Sequence, residues 1–130
     1  MNYKRFEELP CWKKARELCQ AVFDLINQAY FRKDFSLRNQ IWSAAGSVMD
    51  NIAEGFDSET NGEFIRFLRY SKRSCSEVQS ELYIAVDEEY IASNEFKDVY
   101  EQARQTRAAV RGFINYLKKY EERKATNREL

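Results

Sequence analysis

The sequence predicts an all-α fold, an antiparallel up-down-up-down four-helix bundle, on three observations, and a wide apolar face on its second helix adds the expectation of a homo-oligomer. Apolar residues recur with a period near 3.6 along nearly the whole chain. The 130 residues include one proline and four glycines, so little interrupts a helix. The joins between apolar stripes are short, which favours antiparallel neighbours. Surface scaling at this length gives one domain that buries roughly two thirds of the area its unfolded chain exposes. The bundle is assigned to residues 1–122 and a charged, frayed tail to 123–130.

The first helix is predicted over about residues 10–28. Pro10 opens it, because its fixed φ and missing N–H suit the first helical position. At about 100° per residue, Trp12, Ala15, Cys19, Val22, Phe23, Ile26 and Ala29 gather on one side. The aromatics between Tyr30 and Phe35 are expected to pack over an end of the bundle. The second helix, about 37–54, takes Ser36 as N-cap and Gly55 as a left-handed residue after its end. Its core stripe is Leu37, Ile41, Ala44, Ala45, Val48 and Ile52.

The third helix, about 61–89, opens with Thr60 and Glu63 in capping-box spacing. Phe64, Phe67, Leu68, Ser71, Cys75, Val78, Leu82, Ala85 and Val86 lie within an arc of about 100° on it. The fourth, about 94–121 after Ser93, presents Phe96, Val99, Ala103, Thr106, Val110, Phe113, Ile114 and Leu117. Gly46 and Gly112 fall inside helices, at a cost of about 1 kcal/mol each relative to alanine, and predict tight helix crossings.

The second helix is more apolar than a core stripe requires. Trp42, Met49, Ala53 and Phe56 widen its arc to about 180° and are the candidate oligomer interface. The alternative is that the 30–35 segment and the termini shield them.

Lysines and arginines number 21, as do aspartates and glutamates, so no whole-molecule field steers the protein to nucleic acid or membrane. The charge is nevertheless segregated, with only acids over 39–65 and 74–94 and only bases over 66–73. Arg66, Arg69 and Arg73 line the third helix opposite its core, and Arg104, Arg107, Arg111 and Lys118 flank the fourth stripe beside Tyr100. The six arginines are candidates for gripping phosphates, with Tyr70 and Tyr100 placed to stack bases. The competing reading is a solvated face with pairs such as Arg73 and Glu77, or arginines paired across a subunit interface.

Catalytic chemistry finds little support. There is no histidine, which removes His-based triads, most catalytic zinc sites and the Glu-x-x-His motif of di-iron bundles. Glu77 and Glu81 read as surface ion-pairing groups, and Cys11, Cys19 and Cys75 as structural thiols. No glycine-rich phosphate loop occurs, and no cofactor or metal is expected. Without an apolar run of about 18 to 20 residues or a signal-peptide pattern, the expected location is the cytoplasm.

Two segments resemble a known family. FEELPCWKKARELCQAVF, from Phe6 to Phe23, is similar to its opening pattern of an aromatic residue and leucine, a tryptophan and an A-x-E-L helix. NQIWSAAGSVMDNIAEGFDSETNGEFIRFLRYSKRSCSEVQSEL, from Asn39 to Leu82, carries the A-A-x-S-x-x-x-N-I-A-E-G-F signature, then E-F-I-R-F-L and S-x-S-E-V. The chain thereby resembles, over about residues 6–118, the four-helix proteins of 23S rRNA intervening sequences, the S23 ribosomal protein family. It is distantly similar to the accessory variability determinant of diversity-generating retroelements, a strongly basic pentamer that binds reverse transcriptase and nucleic acid. The resemblance implies a homopentamer, often without an assigned activity. This chain departs from the basic relative in its zero net charge. Asn51, Glu54 and Gly55 of the signature read as structural groups at the end of the second helix. The expected function is a non-catalytic scaffold or adaptor for a protein or ribonucleoprotein partner. The alternative is RNA or DNA binding through the arginines of the third and fourth helices.

Overall fold

The computed structural model describes residues 2–129, with side chains through Arg128. Four helices form: α1 (Pro10–Ile26), α2 (Phe35–Phe56), α3 (Asn61–Asp87) and α4 (Ser93–Glu129). Short 3-10 turns at Phe6–Glu8 and Phe31–Lys33 precede α1 and α2, and no strand occurs among the described residues. The chain is a four-helix bundle in which α2 packs on α1 and α3, and α4 on α3 and α1.

Contacts along the helices give their directions. Val48 faces Ser71 while Gly55, further along α2, faces Phe64, earlier on α3. Tyr83 meets Tyr100 while Ser76, earlier on α3, meets Arg107, later on α4. Both pairs are therefore antiparallel.

Most predicted core stripes lie inside. All six positions named on the second helix are buried, and Leu68, Ser71, Cys75, Val78, Leu82 and Ala85 of α3 meet Val99, Ala103, Thr106, Val110, Ile114 and Leu117 of α4 in one core. Two buried polar groups tie helices together: Ser71 Oγ donates to the Val48 carbonyl (2.9 Å) and Cys19 Sγ to the Ala45 carbonyl (3.1 Å). The first helix differs. Leu18 and Leu25 are buried there, whereas Phe23 is exposed at the margin of the apolar arc and Ala29 is exposed because the helix ends before it, at Ile26.

The helix ends also differ from expectation. α1 stops at Ile26, where the Asn27 side chain donates to the Phe23 carbonyl (2.8 Å) and occupies an orphan acceptor. Asp34, not Ser36, caps α2: its Oδ1 accepts from Leu37 N (3.1 Å) while Oδ2 accepts from the Tyr90 hydroxyl (2.9 Å). Phe31 is fully buried and stacks at 5.5 Å on Tyr90, so part of the 30–35 segment does close an end of the bundle; Tyr30 and Phe35 point into solvent.

Gly55 is helical rather than left-handed, and α2 runs on to Phe56. Its role is proximity: a Cβ there would lie 2.7 Å from Phe64 Cδ1 and 2.9 Å from Phe67 Cβ. Gly46 and Gly112 have no such neighbours within 4 Å, so within one chain they mark no tight crossing. Thr60 does cap α3, its hydroxyl accepting from Glu63 N (3.1 Å). Finally, α4 continues through 123–129, where the sequence predicts a frayed tail. That stretch holds no glycine or proline and is rich in strong helix formers, and Thr126 Oγ1 bonds back to the Glu122 carbonyl (3.0 Å). Leu130 lies outside the described residues.

Candidate assembly and nucleic-acid surfaces

The first surface is an apolar groove between α1 and α2. Trp42 extends from α2 against Phe23 of α1, ring centres 5.7 Å apart, and both remain open to solvent, at 43% and 52% exposure. Met49, Arg16, Gln20 and Asp24 complete a groove of about 570 Å³. The four interface candidates thus separate. Trp42 and Met49 line the groove and Ala53 is half-buried, whereas Phe56 turns inward to meet Phe64 edge-on at 6.1 Å. The ring that packs on Trp42 is Phe23 of the first helix.

The second surface lies between α3 and α4. Arg104, Arg107 and Arg111 recur along α4 at helical spacing, and Lys72 of α3, absent from the sequence-based candidates, joins them around a cleft of about 350 Å³. Arg107 Nη1 reaches Ser76 Oγ at 3.4 Å across the helix pair. Arg104 is held by Glu101 through two bonds of 2.8 and 2.6 Å, and this hydrogen-bonded partner pushes the Glu101 carboxyl below its ordinary pKa. Among the described residues Lys72, Arg107 and Arg111 have no ion-pair partner. Lys72 was legible in principle, since it falls on the α3 stripe four residues before Ser76 and eleven before Tyr83.

The other arginines do not join this cleft. The Arg66 guanidinium lies 5.6 Å from the Phe67 ring centre and that of Arg73 lies 5.5 Å from Tyr70. Each contact is worth about 0.5–1 kcal/mol at an exposed site. Arg69 is exposed, and Arg73 makes no ion pair with Glu77.

The signature residues are local. Asn51 Nδ2 donates to the Ser47 carbonyl one turn back (2.8 Å), Glu54 is exposed, and Gly55 sits at the α2–α3 contact. The three thiols are buried, which pushes Cys11 and Cys19 up to about 11 and Cys75 to about 12, leaving them protonated and poorly nucleophilic. Glu81 is not a simple surface carboxylate. It is half-buried, Oε2 has no hydrogen-bond partner, and burial followed by the neighbouring Glu77 charge raises its pKa to about 7. No group of three metal-ligating side chains occurs among the described residues. No helix there is long and apolar enough to cross a membrane.

Four helices, each antiparallel to its neighbours around one shared core, place the protein among the four-helix-bundle proteins. Residues 7–112 match the profile of the 23S rRNA-intervening sequence protein family, and the chain belongs to that family. Comparison with curated proteins gives no match. Among solved structures the chain is similar to a protein of unknown function from the S23 ribosomal protein family of Bacteroides thetaiotaomicron. The two share 19% identity and a TM-score of 0.73 over 80% of this chain and 97% of the other, a likeness of fold.

Proposed function

We propose that the protein is a non-catalytic subunit of a cytoplasmic homo-oligomer, a scaffold or adaptor for a protein or ribonucleoprotein partner. The observation that carries this reading is the α1–α2 groove with its exposed Phe23–Trp42 pair. Covering the open parts of these two rings removes roughly 200 Å² from water, a gain of roughly 5 kcal/mol at about 25 cal/mol per Å². A stable interface buries about 800 Å² per partner and must overcome an association cost of about 4–15 kcal/mol, so the pair is an anchor and its flanks must contribute the rest. The family resemblance sets the expected number of subunits at five. Inert thiols and the absence of histidine support a non-catalytic role.

Light scattering coupled to size exclusion tests the reading. The wild-type chain is expected at a five-subunit mass, and Trp42→Glu at the monomer mass with its helical circular dichroism retained. A wild-type monomer, or a Trp42→Glu variant that still assembles, overturns the groove as the interface.

A second reading is direct nucleic-acid binding, favoured by the unpaired cations Lys72, Arg107 and Arg111 around one cleft. Phosphate contacts of this kind weaken linearly in log–log fashion with salt. A chain that leaves short RNA and DNA unbound at moderate salt would exclude this reading.

A further inference from the structure

We infer that the α3–α4 face binds single-stranded nucleic acid, with bases stacking on the Tyr83, Phe96 and Tyr100 rings and phosphates held by Lys72, Arg107 and Arg111. This rests on the nucleic-acid reading above and names its ligand class. The rings form one cluster: Tyr83 of α3 lies 4.9 Å from Phe96 and 5.8 Å from Tyr100, and these two α4 rings lie 5.3 Å apart. Tyr83 is 51% exposed, so the cluster presents an open aromatic surface rather than a sealed core.

The rings and the cations belong to the same two stripes. On α4, Tyr100 is followed at helical spacing by Arg104, Arg107 and Arg111; on α3, Tyr83 is followed in the antiparallel direction by Ser76 and Lys72. The contacts of Tyr83 with Tyr100 and of Ser76 with Arg107 fix this register. From Tyr100 to Arg111 the helix rises about 16 Å at about 1.5 Å per residue, a path of several nucleotides.

Charge complementarity selects a polyanion. Glu101 answers Arg104, but no carboxylate among the described residues pairs with Lys72, Arg107 or Arg111. Zero net charge does not cancel this, because at physiological salt charges more than about 8 Å away are largely screened. The rings then select strand state. In a duplex the base faces are stacked on one another, whereas a single strand can lay a base on an aromatic side chain, a contact tolerant of sequence.

Fluorescence anisotropy with the full chain tests this, using labelled oligouridine, oligothymidine, a hairpin duplex and polyglutamate as probes. Both single strands are expected to bind at least about tenfold more tightly than the duplex or the acidic peptide. Tyr83→Ala, and Tyr83→Leu, which keeps apolar volume but removes the ring, are each expected to weaken single-strand binding about tenfold and leave the salt slope unchanged. Arg107→Gln with Arg111→Gln should lower the log–log salt slope by about 1.4, two phosphates at about 0.7 each. If single strand, duplex and polyglutamate bind alike and the Tyr83 variants are silent, the stacking inference falls while the cationic surface stands. Preferential binding of polyglutamate would make the partner an acidic protein and overturn both, as would no binding of any nucleic acid.

Discussion

Glu81 and Gly55 show how one position on a helix answers to what lies opposite it. The raised pKa of Glu81, about 7, means that the folded protein holds a proton which the unfolded chain, titrating near 4.5, has released. Stability from this residue is therefore fully present below about pH 4.5 and is lost as pH rises to about 7. Glu81→Gln is expected to be more stable than wild type at pH 8 and similar at pH 4.5. Because the residue keeps part of its hydration, the difference is discounted to about 1 kcal/mol. Urea melts of both proteins across that range check it; equal midpoints at pH 8 would refute it. At Gly55 the contact is steric. Gly55→Ala gains helix propensity but drives a methyl to 2.7 Å from Phe64, and a net loss of about 1–2 kcal/mol in thermal or urea melts is expected. Burial itself was legible at most positions, since a heptad-like stripe fixes which residues face inward. The roles of Gly55 and Glu81 were not, because each depends on a neighbouring helix: glycine after a helical run equally signals a left-handed cap, and a carboxylate one turn from another equally signals a solvated face.

At the scale of the helix, the ends carry the differences between sequence and structure. Periodicity located all four helices, but their limits are set by single hydrogen bonds, and several nearby residues are chemically able to make each one. Asp34 and Ser36 are both good N-caps; Asp34 prevails because its second oxygen also binds Tyr90, tying the start of α2 to the segment after α3. The end of α3 shows the converse. Tyr90 N bonds the Ala85 carbonyl (2.9 Å) and Glu89 N the Val86 carbonyl (3.1 Å), a closure that places Glu89 at φ 61°. No sequence signal marks this residue, since glycine is the usual occupant and is absent here. A side chain in the left-handed region costs about 1–2 kcal/mol that glycine avoids. Glu89→Gly is accordingly expected to raise stability by about 0.5–1 kcal/mol, after allowing for the greater freedom of glycine in the unfolded chain. Differential denaturation of the two proteins measures it, and a loss would mean that the Glu89 side chain makes a compensating contact.

For the molecule as a whole, burial and helical length come apart at the C-terminal end of α4. The helix extends to Glu129, yet the last buried residue is Leu117, and beyond it the side chains through Arg128 are exposed apart from the half-buried Glu121. There Asn61 Nδ2 at the start of α3 donates to Glu121 Oε1 (2.8 Å). An isolated helical extension is sustained by propensity and continuity with the bundle rather than by packing, since nucleation is already accomplished by the residues before it. Ending the chain after Glu122 preserves the Asn61 bond and every buried side chain. It is expected to lower helical circular dichroism in proportion to the residues removed while shifting the unfolding free energy by less than about 0.5 kcal/mol. Subunit mass separates two origins for that outcome. If the truncated chain matches the full one in number of subunits by light scattering, the extension serves neither fold nor assembly and is free for a partner. If the truncated chain keeps its stability but loses its mass, the exposed turns after Leu117 are themselves part of the subunit contact, and the α1–α2 groove is not sufficient for assembly.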